Sequence, residues 1–185
     1  LDRLSDSGYE STVTGFSIGT TFEQYENIFL APNLSLYYED IDTNDAASSA
    51  LKKMEGAYTD FIFGYSIFTD KRNQKFRPTE GYLTSFRQRI PLYADKPSLL
   101  NGLDFTSYHS MSDNLIGSFK FYSRAINSVG DDDVKISQRL HLPSKRLRGF
   151  QRNKIGPVDS DDHVGGNYAT AFGFEAQLPN LLPES

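Results

Sequence analysis

The chain has no cysteine, so neither a disulfide framework nor a thiolate metal site can form. Its only histidines, His109, His141 and His163, lie too far apart in sequence to show metal-ligand spacing. Asp159, Asp161 and Asp162 crowd together, but not at the spacing of an EF-hand calcium loop. No run approaches the ~18 apolar residues that a membrane-spanning helix needs, and mean hydropathy is −0.49. A net charge of −5 argues against nucleic acid as a partner. No nucleophile–base pair, phosphate loop or metal cluster is present, so neither enzymatic chemistry nor a cofactor is expected. Aromatic residues at 14% and strong patterning exclude disorder. The 185 residues are enough for one domain. The chain starts at Leu1 without an initiator methionine or signal peptide, and is expected to be an internal piece of a longer protein.

What is present is period-two alternation. From residue 10 to 20, Thr12, Thr14, Phe16 and Ile18 share one face and Ser11, Val13, Gly15 and Ser17 the other. Similar strands are expected over 28–39, 58–69, 82–90, about 99–110, 115–126 and 167–178. In each, an apolar face (Leu34, Leu36 and Tyr38, or Phe119 and Phe121) opposes a small or polar one (Ser35, Tyr37 and Glu39, or Lys120, Tyr122 and Arg124). Pro32 should break the ladder and produce a bulge or kink. Residues 46–54 are mostly helix formers, with Asn44 or Asp45 as a candidate cap. Residues 134–142 are expected to pair as a hairpin arm.

The fold is all-β, and two architectures satisfy this alternation. In a soluble sandwich the apolar faces meet inside; in a membrane barrel they face lipid, and the polar faces line a wet lumen. Strands of about 9–13 residues exceed the globular mode of ~5–6 and suit a bilayer crossing of ~9–11. Connections alternate between short turns (21–27, 70–81, 111–114) and longer loops (40–56, 129–164), as periplasmic turns and extracellular loops do. Seven strands are too few to close a barrel, since single-chain bacterial barrels have at least about eight.

Within the long 129–164 loop lies Leu147-Arg148-Gly149-Phe150, with Gln151 after it and Ile155-Gly156-Pro157 beyond. This stretch resembles the loop-six motif of the BamA family of outer-membrane protein assembly factors. Gly165-Gly166-Asn167 and a strand carrying Glu175 resemble that family's twelfth barrel strand. Asp70-x-Arg72 with Phe76-x-Pro78-Thr79-x-Gly81 resembles its periplasmic turn between strands eight and nine.

The resemblance implies a partial transmembrane antiparallel β-barrel, about strands six to twelve of about sixteen. The whole of residues 1–185 would belong to one barrel domain in the bacterial outer membrane, with 129–164 as loop six, 40–56 as loop four, and 181–185 in a periplasmic turn. The implied function is insertion of β-barrel proteins into the outer membrane. Nascent barrel clients would be partners, as would accessory lipoproteins reached through POTRA domains outside this chain, and lipid with lipopolysaccharide. It further implies that Arg148 pairs with lumen carboxylates, with Glu175 as the partner. A planar guanidinium suits a carboxylate bidentately. Gly149 would permit close backbone approach, and Phe150 would wedge against the inner wall. Lys145, Arg146, Arg152 and Lys154 read as solvated loop charges near lipopolysaccharide phosphates, and Arg87, Arg89, Lys120 and Arg124 as structural lumen charge. A TamA-like or two-partner secretion barrel, or a plain porin or receptor barrel, remains an alternative.

Overall fold

The structure, a computed structural model, describes residues 2–5, 8–151 and 153–178. The alternating stretches form one antiparallel sheet of nine strands. In chain order these are β1 (Asp2–Ser5), β2 (Tyr9–Gly19), β3 (Phe22–Tyr25), β4 (Ile28–Thr43), β5 (Gly56–Asp70), β6 (Gly81–Ala94), β7 (Ser98–Ser112) and β8 (Leu115–Ser128), and finally β11 (Tyr168–Gln177). Two short strands, β9 (Val158–Asp159) and β10 (Asp162–His163), pair separately inside the long loop. Apart from β3, sheet order follows chain order: every strand pairs with the one before it, as in an up-and-down wall. β1, which pairs with β2 from Asp2↔Val13 to Ser5↔Glu10, was not expected from the sequence.

The strands are longer than their alternation suggested. β4 has 16 residues and β5 and β7 have 15 each. At about 3.3 Å per residue such strands reach ~50 Å, enough to cross a bilayer at a steep tilt and project beyond it. β6 runs on through Pro91 because a register shift opposite Phe61 and Ile62 absorbs Leu92. At Pro32 the outcome differs from the expected bulge. The pairs Gly19↔Asn33 and Phe22↔Leu30 keep one register across a gap at Thr20 and Thr21, and the register shifts further on, between Glu23 and Tyr25. Proline lacks the N–H that would close the ladder there, so β2 and β3 are two halves of one strand.

The two faces of the sheet differ sharply. The apolar face is bare: Phe16 is 69% exposed, Leu36 51%, Phe172 65% and Phe174 80%. Along it Phe119, Phe121, Phe172 and Phe174 pack in a ladder, with ring centroids 5.1 Å apart for Phe119–Phe174 and for Phe121–Phe172. The polar face is the covered one. Across its outer end lie a short helix, α1 (Ser49–Lys52), and the long loop after β8. Ile41, Leu51, Met54, Tyr58, Ile136 and Val164 form a small core there. A water-soluble sandwich would bury the aromatic face. Here the hydrophobic face is left for lipid and the polar face holds a folded loop, the inside-out pattern of a membrane barrel. No helix among the described residues is long and apolar enough to cross a membrane.

Candidate functional site

The long loop is seated on the polar face by charge. Residues 134–142 do not pair as a hairpin arm. They contain a single 3-10 turn, Ile136–Gln138, and one isolated bridge between Leu140 and Gly166. Val134 and Ile136 are buried, so the chain between them is drawn into the wall and carries Lys135 with it. The Lys135 Nζ is fully buried, 2.6 Å from Asp60 Oδ2 and 3.1 Å from Glu39 Oε2. Ser11 donates to Glu39 at 2.7 Å, Gln138 donates to Asp60 at 3.1 Å, and the ammonium sits 5.1 Å from the centre of the Tyr58 ring. A buried cation survives only where opposite charge and hydrogen bonds replace its hydration.

A second seat lies eleven residues further on. Arg146 donates to Asp104 Oδ1 at 2.7 Å and stacks 5.1 Å from the centre of the Tyr122 ring. The other Asp104 oxygen accepts from Arg124 and lies 3.6 Å from Arg87. Arg146 is thus no solvated loop charge, as expected from sequence, but a wall contact with a side chain only 19% exposed. The expectation failed because a lone arginine carries no mark of the carboxylate it will meet 42 residues away. Lys145 and Lys154 are exposed, and Arg152 lies outside the described residues, as do 181–185.

The third seat works in the opposite sense. Asp162 accepts from the Ser48 backbone N–H at 2.8 Å, and Asp159 from that of Ala50 at 3.2 Å. Carboxylates of the long loop therefore satisfy the free amides at the start of α1. Neither Asn44 nor Asp45 serves as the cap; Ser48 occupies the position with no side-chain capping bond of its own.

The motif residues follow directly. Arg148 Nη2 lies 3.4 Å from Glu175 Oε1, so the structure brings the expected pair together. Glu175 has a closer partner, Lys120 on β8, at 2.6 Å, while the Arg148 side chain is 82% exposed. Gly149 has φ +86°, a region costly for other residues, but a Cβ there would meet nothing within 4 Å. Its backbone direction, rather than close approach, is what calls for glycine. Phe150 is 58% exposed and does not wedge against the wall. Leu147 is half-buried beside them.

The β5–β6 turn is a built object. Arg72 closes a two-pronged pair on Asp70, with Nε at 2.8 Å and Nη2 at 2.7 Å, which holds the guanidinium pKa above its ordinary value. Asn73 clamps Thr79 through its side-chain amide and accepts from the Thr79 and Glu80 N–H groups, and Pro78 is buried beneath. Gly81 has φ +93°, and a Cβ there would lie 2.1 Å from the Lys71 carbonyl oxygen.

Sequence reasoning missed Lys135, Glu39, Asp60 and Asp104. The available signal was the carboxylates on the polar faces of strands whose other faces are apolar, since each needs a cation once the face is covered. Lys135 stood between apolar Val134 and Ile136, two residues after the run Asp131-Asp132-Asp133.

Residues 2–184 match the model of the Omp85 superfamily domain. The chain is 26% identical over 181 residues to the outer membrane protein assembly factor BamA of Neorickettsia risticii, a match covering 95% of this chain and 24% of that protein. It superposes with a TM-score of 0.85 on the crystal structure of BamA from Haemophilus ducreyi lacking POTRA domains 1–3. That superposition covers 96% of this chain and 39% of the other, at 19% identity. The chain thus spans about a quarter of the length of its curated relative. The polar face is the lumenal one, and the bare aromatic face is the one turned to lipid. The chain belongs to the Omp85 superfamily, as an open stretch of β-barrel wall in the bacterial outer membrane.

Proposed function

We propose that the chain is part of the barrel of a BamA-type factor that inserts β-barrel proteins into the outer membrane, corresponding to about strands six to twelve and loop six. The supporting observation is the Leu147–Phe150 motif on a loop seated against the lumenal wall, with Arg148 beside Glu175. The likeness to an assembly factor over 95% of the chain agrees with it. In this reading the protein performs no covalent chemistry. A long loop held inside by Lys135 and Arg146 stiffens the wall and keeps the lumen from standing open, while the apolar face meets lipid. Nascent barrels are the clients, and accessory lipoproteins bind domains outside this chain.

Depletion of the full-length protein in its own cell tests this. Unrelated outer-membrane barrels should fall in abundance and accumulate unfolded, as read by the heat-dependent gel mobility of folded barrels. Unchanged levels of those barrels, with only altered membrane conductance, would leave a porin or receptor barrel as the better reading.

A further inference from the structure

Beneath the loop, against β6, β7 and β8, lies a lumenal cleft of about 620 Å³. Its charged lining among the described residues is Arg87, Arg124, Lys145 and Arg146, set against one carboxylate, Asp104. Four cations against one anion leave an excess of three positive charges. Asp104 already serves Arg124 and Arg146 by hydrogen bonds and Arg87 by a looser contact at 3.6 Å. Among the described residues the Arg146 Nε is buried without a partner, and the Arg87 side chain is 50% exposed.

The wall is shaped for this crowding. A Cβ on Gly102 would lie 2.8 Å from Arg124 Cδ and 2.9 Å from Arg87 Cγ, so a side chain at 102 would collide with both arginine stems. Beyond Arg87 the track continues to Arg89, whose guanidinium lies 6.0 Å from the centre of the Tyr37 ring. A second cleft of about 300 Å³ holds Arg87 and Arg89, with no carboxylate among the described residues of its lining. Guanidinium groups brought this close repel one another, and a partly desolvated setting sharpens the repulsion. Asp104 balances one of them. An oxyanion with two or more charges would balance the rest, and planar guanidinium forks bind such groups bidentately.

We infer that this cleft is a binding site for a phosphate-type oxyanion, held by Arg87, Arg124 and Lys145 over Asp104. The ligand is either a soluble phosphate or the phosphate of a lipid headgroup. The inference depends on the lumenal placement of the polar face and not on the assembly reading.

The test uses the full-length protein in a non-ionic detergent, with pyrophosphate as probe, followed by titration calorimetry and phosphorus NMR line width. Saturable binding is expected, weakening about tenfold in Arg87→Gln through loss of one charge-assisted hydrogen bond and also in Lys145→Gln. Arg148→Ala, outside the cleft, should bind like the parent. Arg87 and Lys145 are exposed enough for their variants to fold, and heat-dependent gel mobility confirms folding in each case. Displacement of bound pyrophosphate by micelles containing phosphatidylglycerol would assign the site to a headgroup, and persistence of binding would assign it to a soluble anion. Absence of saturable binding overturns the inference, as would follow if a carboxylate elsewhere in the full-length protein fills the cleft. Equal binding by the parent and Arg87→Gln overturns it as well.

Discussion

Replacing Lys135 by methionine keeps the stem volume and removes the charge. The Nζ lies 2.6 Å from Asp60 and 3.1 Å from Glu39, and the three side chains are 0%, 5% and 7% exposed. Without the ammonium, two carboxylates face each other inside the wall with only Ser11 and Gln138 as donors among the described residues. Removing one partner of a buried ion pair costs about 3–5 kcal/mol, because the uncompensated charge stays behind. The Arg148–Glu175 pair is different in kind: at 3.4 Å and 82% exposure of the arginine, it should contribute about 0–1 kcal/mol. Hydrogen exchange by mass spectrometry on the full-length protein, read over peptides within 131–142, reports local opening of the loop. Lys135→Met should speed exchange there by about two to three and a half orders of magnitude, since each ~1.4 kcal/mol is a factor of ten. Arg148→Ala should change it by less than about fivefold. The double variant Lys135→Met with Asp60→Asn should recover part of the protection, because it removes one of the stranded charges. If Lys135→Met and Arg148→Ala loosened the loop equally, or if the double variant were no better than the single one, the deep seat would not be what holds the loop.

Two further outcomes test the rest of the architecture. Phe172→Arg places a charge on the lipid-facing ladder, where Phe172 is 65% exposed. It should destabilise the barrel by about 2–4 kcal/mol in urea unfolding from lipid vesicles; a change under about 0.5 kcal/mol would mean that this face does not meet lipid. Gly81→Ala forces a Cβ towards the Lys71 carbonyl at φ +93°. It should cost about 1–3 kcal/mol in the same assay, while Glu80→Ala, next to it and exposed, should cost little.

Period-two alternation places all seven wall-crossing strands, because a strand that separates lipid from water must change character at every residue. The 70–81 turn was equally readable: Asp70, Arg72, Pro78, Thr79 and Gly81 act within twelve residues of one another, and local chemistry needs no long-range information. β1 was not legible, since four residues, Asp-Arg-Leu-Ser, carry too little pattern. Nor was the cap of α1, whose carboxylates come from residues more than 100 positions away.

Sequence by itself therefore determined an all-β wall with one polar and one apolar face, while the placing of Arg148 beside Glu175 was what the family resemblance implied. Tertiary structure decided which charges hold that loop. Lys135 with Glu39 and Asp60, and Arg146 with Asp104, are separated by 96, 75 and 42 residues. Their pairing exists only once β4 to β7 stand in order in one sheet and the loop lies down across them. A charge becomes an anchor only when its partner shares its burial, and burial is a property of the assembled wall rather than of any stretch of chain.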